Sequence, residues 1–239
     1  MIDSAIASAL ERIESRDADV RNAYRAGAFP LHGDVARSLG PLPASDPLSV
    51  ALPEGSYVLT QNENGAAAYS RDGTFELVGG GLRSADGRPV LGFTLGNRTA
   101  LAVLRVDPYD LALGRVADAK IDADGTLAYT RRSVDPRTGR QRRERVAVGR
   151  IALARFPAAT QLVRVDATHV QPPAGINAKL GVPADGSFGA LIVRARDVGR
   201  VDPMAGLAKT HEAYVQFEAL RAAHDGRGQT EKVAMDLLK

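Results

Sequence analysis

Histidine is the side chain best suited to move protons near neutral pH or to bind a transition metal. The 239-residue chain holds four: His32, His169, His211 and His224. None stands in an HExxH or other close metal pair, and His211 and His224 are too far apart for one i, i+4 site. They read as ordinary surface or interface histidines. Cysteine is absent, which excludes disulfides, thiolate metal sites and a cysteine nucleophile. Ile121-Asp122-Ala123-Asp124-Gly125 opens like a calcium loop, but the later ligands and the closing Glu are missing, so it reads as a hairpin turn. Gly79-Gly80-Gly81 lacks the Lys-Ser/Thr ending of a phosphate loop and is not followed by a helix, so it reads as a tight turn between strands. No serine sits in a nucleophile elbow. The residue pattern therefore predicts no catalytic residues, no cofactor and no metal site, and a protein that is not an enzyme.

Composition bounds the rest. Hydrophobic residues make up 44% and charged residues 25%, as in an ordinary globular protein. Aromatics are only 5% and Trp is absent, so a core must be built from Val, Leu, Ile and Ala. With 24 Gly and 13 Pro the chain favours turns and β structure. A net charge of +3 is too small, and too little accompanied by aromatics, to predict a nucleic-acid partner. The dense basic run Arg137–Arg145 reads first as a solvated hairpin tip, and otherwise as a contact with an acidic surface or polymer. No apolar run approaches a membrane span, so no membrane insertion is expected. The first residues, MIDSAIASALERIESRD, show neither a basic n-region nor an apolar h-region, so no cleaved signal peptide is expected.

The elements divide the chain into four. Residues 1–28 predict an amphipathic helix of about six turns. Its narrow stripe holds Ile6, Leu10, Ile13, Val20 and Tyr24, closer to a coiled-coil seam than to a broad core face. Residues 29–47 read as a linker or irregular arm. Residues 48–200 read as a β domain, barrel- or sandwich-like, of many short strands. Its turns are expected at Arg71-Asp72-Gly73, Asp86-Gly87 and Asp124-Gly125, and its most apolar strand at Phe188–Ala195. Residues 201–239 read as a helical segment capped by Asp202, with Pro203 in its first turn, Met204, Leu207, Tyr214, Phe217 and Leu220 along one side and an interruption at Gly226 and Gly228. The fold class is thus mainly β, flanked by terminal helices that could pair as a coiled coil.

Three blocks, in order, resemble one family. Tyr69-Ser70-Arg71-Asp72-Gly73-Thr74-Phe75 looks like a Y-T-R-D-G-x-F motif, and Gly81-Leu82 with Asp86-Gly87-Arg88-Pro89-Val90-Leu91-Gly92 like G-x-L-V-x-x-x-G-x-P-V-L-G. Ile121–Tyr129 is similar to D-G-x-V-x-Y, and Val148–Phe156, including Gly149, to V-G-Q-I-x-L-A-x-F. Val201-Asp202-Pro203-Met204 is like the N-V-D-P that opens a C-terminal helix, and Glu212-Ala213-Tyr214 falls where R-A-Y-E-A-N would stand. These are motifs of the bacterial flagellar rod and hook proteins.

That resemblance implies a structural subunit of the flagellar basal body in the periplasmic rod region. Such a subunit leaves the cell by type III export, assembles through its terminal helices with further copies and other axial proteins, and contacts ring proteins or peptidoglycan. The chain departs from the family at the end of the first helix. Where an Asn-rich signature and T-x-G-F are expected it reads Val20-Arg21-Asn22-Ala23-Tyr24-Arg25-Ala26-Gly27-Ala28-Phe29. The alternative is an accessory or binding protein with a rod-type β domain that does not polymerise.

Overall fold

The computed structural model describes residues 2–22, 25–28, 40–135, 137–158, 160–197 and 203–236. Tyr24, His32, Val201, Asp202 and residues 29–39 of the expected linker lie outside them. The chain starts with helix α1 (Ile2–Asn22), then strands β1 (Pro41–Pro43), β2 (Val50–Ala51), β3 (Tyr57–Gln61) and β4 (Ala67–Ser70). Next come β5 (Phe75–Val78), β6 (Gly81–Ser84), β7 (Leu91–Thr94), β8 (Asn97–Val103) and the short helix α2 (Pro108–Ala112). β9 (Val116–Ile121), β10 (Thr126–Val134), β11 (Gln141–Ile151), β12 (Leu153–Arg155) and β13 (Val163–Arg164) follow. The last strands are β14 (His169–Gln171), β15 (Lys179–Gly181), β16 (Ile192–Val193) and β17 (Ala195–Asp197), before helix α3 (Pro203–Asp236). The protein is mainly β with a helix towards each end, and it divides into a helical unit and a β body.

In the helical unit α1 and α3 pack against each other. Among its described residues Ala9 and Ala213 are the buried apolar ones, and alanine at such positions lets helix backbones come close. The Arg16 guanidinium donates to the Lys209 carbonyl at 2.8 Å. The expected interruption at Gly226 and Gly228 does not occur, because α3 runs through both as one helix of 34 residues. Two internal glycines at roughly 1 kcal/mol each are a small cost set against the other residues of so long a helix.

The β body pairs every strand antiparallel. One sheet has the order β8-β7-β11-β10-β9, a second β13-β14-β4-β3-β12-β15, and three small ribbons pair β1 with β17, β2 with β16 and β5 with β6. Each sheet keeps two edges, so among the described residues there is no closed barrel. The reason is visible at β11 and β12, one extended stretch that serves two sheets. β11 pairs with β7 through Ile151↔Gly92, and β12 pairs with β3 through Leu153↔Val58.

Alternation along that stretch builds the core. Ile151 and Leu153 face one cluster, with Val50, Val58, Phe75, Leu82, Val90 and Leu104. Ala152 and Ala154 face the other, with Leu59, Leu91 and Phe93. Successive strand residues point to opposite faces, so a strand buried on both sides reads as a continuous apolar run. At Gly92 and Gly149 a β-carbon would lie 2.4 Å from the Arg150 carbonyl oxygen and 2.6 Å from that of Phe93, and both would press on the Leu104 side chain. Glycine there lets β7 and β11 meet over Leu104.

Several expectations change. Asp86-Gly87 and Asp124-Gly125 do turn the chain, with φ of +86° and +80° at the glycines. Arg71-Asp72-Gly73 does not make a hairpin, because β4 pairs with β3 and β14 whereas β5 pairs with β6. Phe188–Ala195 is not one strand. Phe188 and Leu191 enter the core outside any strand, Ile192 and Val193 form the exposed β16, and Arg194, at φ +52°, breaks the extended backbone before β17. Within the expected arm, Pro41–Pro43 forms β1 against β17.

Arg71 explains the first of these changes. It is buried, and its guanidinium donates to the Asp197 carboxylate at 2.9 Å through Nε and again through Nη2. It also donates to the carbonyls of Pro53 (3.0 Å), Ser56 (2.8 Å) and Leu52 (3.3 Å). Gly73 packs so closely on β2 that a β-carbon would fall 2.0 Å from the Val50 carbonyl oxygen, and the Val50 amide donates to the Gly73 carbonyl at 2.9 Å. Gly27 closes the other side, its amide donating to the Asp197 carbonyl at 3.2 Å. Arg71→Ala is expected to destabilise the protein by about 3–5 kcal/mol in urea unfolding, since it strands a buried carboxylate. Arg71→Met with Asp197→Leu is expected to recover most of that loss. Equal losses in the single and double variants would overturn this account.

Candidate functional site

The residues that could do chemistry gather beneath a broad, polar cleft of about 1060 Å³. Its lining includes Arg25, Asn62, Arg83, Asp86, Arg88 and Asp166. The β6 turn supplies Asp86 and Arg88, and the loop from β13 to β14 supplies Asp166. Asp166 folds that loop locally, its carboxylate accepting from the amides of Thr168 and His169 at 2.9 Å each. The same oxygen lies 3.0 Å from Nδ1 of His169.

His169 is buried, unlike the surface histidine expected from sequence. Its Nδ1 also lies 3.4 Å from Asp86 Oδ2 and 3.1 Å from Thr168 Oγ1. Two carboxylate acceptors require the proton on Nδ1. Nε2 is buried with no hydrogen-bond partner. Arg88 completes the network, reaching Asp166 at 2.7 Å, Asp86 at 3.3 Å and the Asn62 side-chain carbonyl at 2.9 Å. Burial pushes the Asp166 carboxyl up, but the hydrogen bond from His169, the Thr168 amide and the histidine's charge outweigh it and hold the group well below the usual carboxylate range.

Asp86, Asp166 and His169 place their donor atoms within 4.8 Å of one another, close enough to share a cation. Both carboxylates are already bridged by the Arg88 guanidinium, however, and a cation would have to displace it. The arrangement is an ion-pair network that pins the β6 turn to the β13–β14 loop and leaves only the buried His169 Nε2 without a partner among its polar atoms.

A second network joins α2 to β10. The buried Asp110 accepts from the Tyr129 hydroxyl and from Arg131 Nε, both at 2.6 Å. The Tyr129 hydrogen bond, followed by that of Arg131, keeps the Asp110 carboxyl below its ordinary value. Burial, and then Asp110, raise the Tyr129 hydroxyl.

The motif residues divide between these networks and the core. Phe75 is fully buried. Tyr69 meets Phe156 edge to face at 4.9 Å. Asp72, its carboxyl pushed up by burial, accepts from the Thr74 amide at 2.9 Å. Asp86 and Pro89 line the cleft with Gly87, and Gly92 meets Gly149 around Leu104. Pro203 opens α3. Among the expected assembly residues, Ile6, Ile13, Val20, Phe217 and Leu220 are half-buried. Leu10, Met204, Leu207 and Tyr214 are 46%, 74%, 57% and 53% exposed.

The sequence reading weighed His169 only as an ordinary surface or interface histidine and did not single out Asp166, Asp110 or Asp197. A signal existed for two of them: Asp166-Ala167-Thr168-His169 has the spacing of an Asp side chain that binds the next backbone amides. Among the described residues no helix is long and apolar enough to cross a membrane. No protein-family model matches the chain, and no curated protein matches it.

A carboxyl held below its unfolded value adds stability that is complete above the unfolded pKa, about 3.9, and is lost as pH falls towards the folded one. Asp166→Asn is therefore expected to lower the melting temperature at pH 7 by roughly 3 °C or more. The gap to wild type should stay level above about pH 5 and narrow as the pH drops further. A gap that does not change with pH, read from melting curves between pH 7 and 3, would exclude this role.

Proposed function

We propose that this chain is a structural subunit of the bacterial flagellar axial type, a rod-like component closest to the distal rod protein, and that it has no catalytic role. The observation that carries this reading is the division of labour among the motif residues. The resemblance is most specific at Tyr69–Phe75 and Gly81–Gly92, and those residues hold the β body together through the Arg71 node, the Asp86 turn and the Gly92–Gly149 crossing. They are used for shape, as expected of a building block.

The assembly surface of this proposal is the helical unit. Met204, Leu207, Tyr214 and Val215 of α3 and Leu10 of α1 leave large apolar side chains in water, although α1 and α3 already pack on each other. Further copies would cover them, the helices pairing in coiled-coil fashion. Repeated contacts that do not close on themselves give an open helical array. Other axial proteins, and ring proteins or peptidoglycan around them, are the partners in this reading, and the periplasmic rod region of the basal body is its location.

Sedimentation velocity across a concentration series, with negative-stain imaging of the heaviest fraction, tests this. Open-ended oligomers or tubes are expected for the wild type. Leu207→Asp with Tyr214→Asp is expected to weaken assembly at least tenfold, about 1.4 kcal/mol per contact. A monomer at every concentration would overturn the assembly reading in favour of an accessory protein that does not polymerise.

A further inference from the structure

The positive charge of the chain is concentrated on one hairpin. Residues 131–145 hold seven arginines, no lysine and two acids, Asp135 and Glu144, for a net +5 against +3 for the whole chain, so the remaining residues sum to −2. β10 and β11 carry this charge out to an exposed tip. At the tip the Gly139 amide donates to the Asp135 carbonyl at 2.8 Å, and the Asp135 carboxylate accepts from the Arg137 amide at 2.8 Å. That acid is thus occupied inside the turn.

The arginines nearest the body are paired: Arg131 with Asp110 and Glu144, Arg132 with Asp118 at 3.6 Å, Arg145 with Asp122. Arg137, Arg140, Arg142 and Arg143 are exposed, and their side chains make no ion pair or hydrogen bond among the described residues. Register sharpens the picture. Arg132 stands directly opposite Arg143, and like charges facing each other across a ladder are destabilising. On the other face Arg142 stands opposite Ser133. Cationic side chains therefore project from both faces of the ribbon and from its end.

We propose that this hairpin binds a linear, carboxylate-bearing glycan. A guanidinium matches a carboxylate as a planar fork, and the hairpin uses arginine throughout. Charge on both faces suits a flexible chain that passes around the tip better than a folded surface, which would meet one face. Residues 130–145 contain no aromatic on which bases could stack. Duplex DNA, with one charge per roughly 1.7 Å, would also run from the tip on to a β body whose remaining charges balance and so add no attraction. A polymer with wider-spaced carboxylates matches four exposed arginines, of which only Arg142 feels a nearby acid, Asp135, and that without a direct ion pair. The inference does not depend on whether the chain polymerises.

The test uses the full chain and fluorescently labelled polygalacturonate in anisotropy titrations at low and raised salt. Duplex DNA and polyglutamate serve as competing probes. A variant with Arg137, Arg140, Arg142 and Arg143 each changed to Gln is compared with a control of equal charge, in which Arg12, Arg21, Arg196 and Arg221 are changed to Gln. Salt-sensitive binding of polygalacturonate is expected, with a loss of at least tenfold in the tip variant and less than twofold in the control. Should the fourfold tip variant fail to fold, Arg137→Gln with Arg140→Gln, confined to the turn, is expected to lose at least threefold. Equal losses in tip and control variants, tighter binding of DNA or polyglutamate, or no binding by wild type at low salt would each overturn the proposal.

Discussion

The β body depends on one buried cation. Arg71 gives its donors to the Asp197 carboxylate and to three carbonyls of the 52–56 segment, so a single side chain joins strands from opposite ends of the body. Removing a guanidinium from water costs several kcal/mol, recovered only where every donor is met with good geometry. The neighbouring residues serve that requirement. Gly73 brings β2 close, Gly27 leaves room for the Arg71–Asp72 backbone, and Ser70 accepts from the Asp72 amide while donating to the Thr168 carbonyl. The short motif is conspicuous in sequence because several independent packing demands fall on consecutive residues.

Much of the fold was legible because its signals are local. The many short strands were expected from the density of turn signals, and Asp-Gly marked the turns at Gly87 and Gly125. The same signal misled at Asp72-Gly73, where glycine serves close approach to Val50 and not a turn. Phe188–Ala195 misled because an apolar run records burial without saying whether the backbone is extended. Helix α2 escaped notice although Asp107-Pro108 repeats the pattern read at Asp202-Pro203. Asp107 caps the helix by accepting from the Tyr109 amide, but a five-residue helix shows no periodicity.

The candidate site was less legible than the fold. Asp86, Arg88, Asp166 and His169 come from two turns about eighty residues apart, and no spacing rule in one sequence joins them. The spacing of the histidines had suggested surface positions, yet His169 is enclosed, with Asp86, Asp166 and Thr168 compensating its ring on one side. The basic run was conspicuous in sequence, whereas the pairing of its inner arginines with Asp110, Asp118 and Asp122, and the lack of ion-pair partners at its tip among the described residues, depend on elements distant in the chain.

The separation of Arg71 from Asp197 also sets an order of events. The two are 126 residues apart in the chain, and β1 pairs with β17 across a similar distance. Closing so long a loop must precede the gain from the contact, which makes it a late step in folding. A chain emerging from its N-terminus therefore holds Arg71 without its carboxylate until nearly the whole β body has followed. The lock is built so that the last strand to arrive is the one that turns it, and every earlier length of the chain remains open.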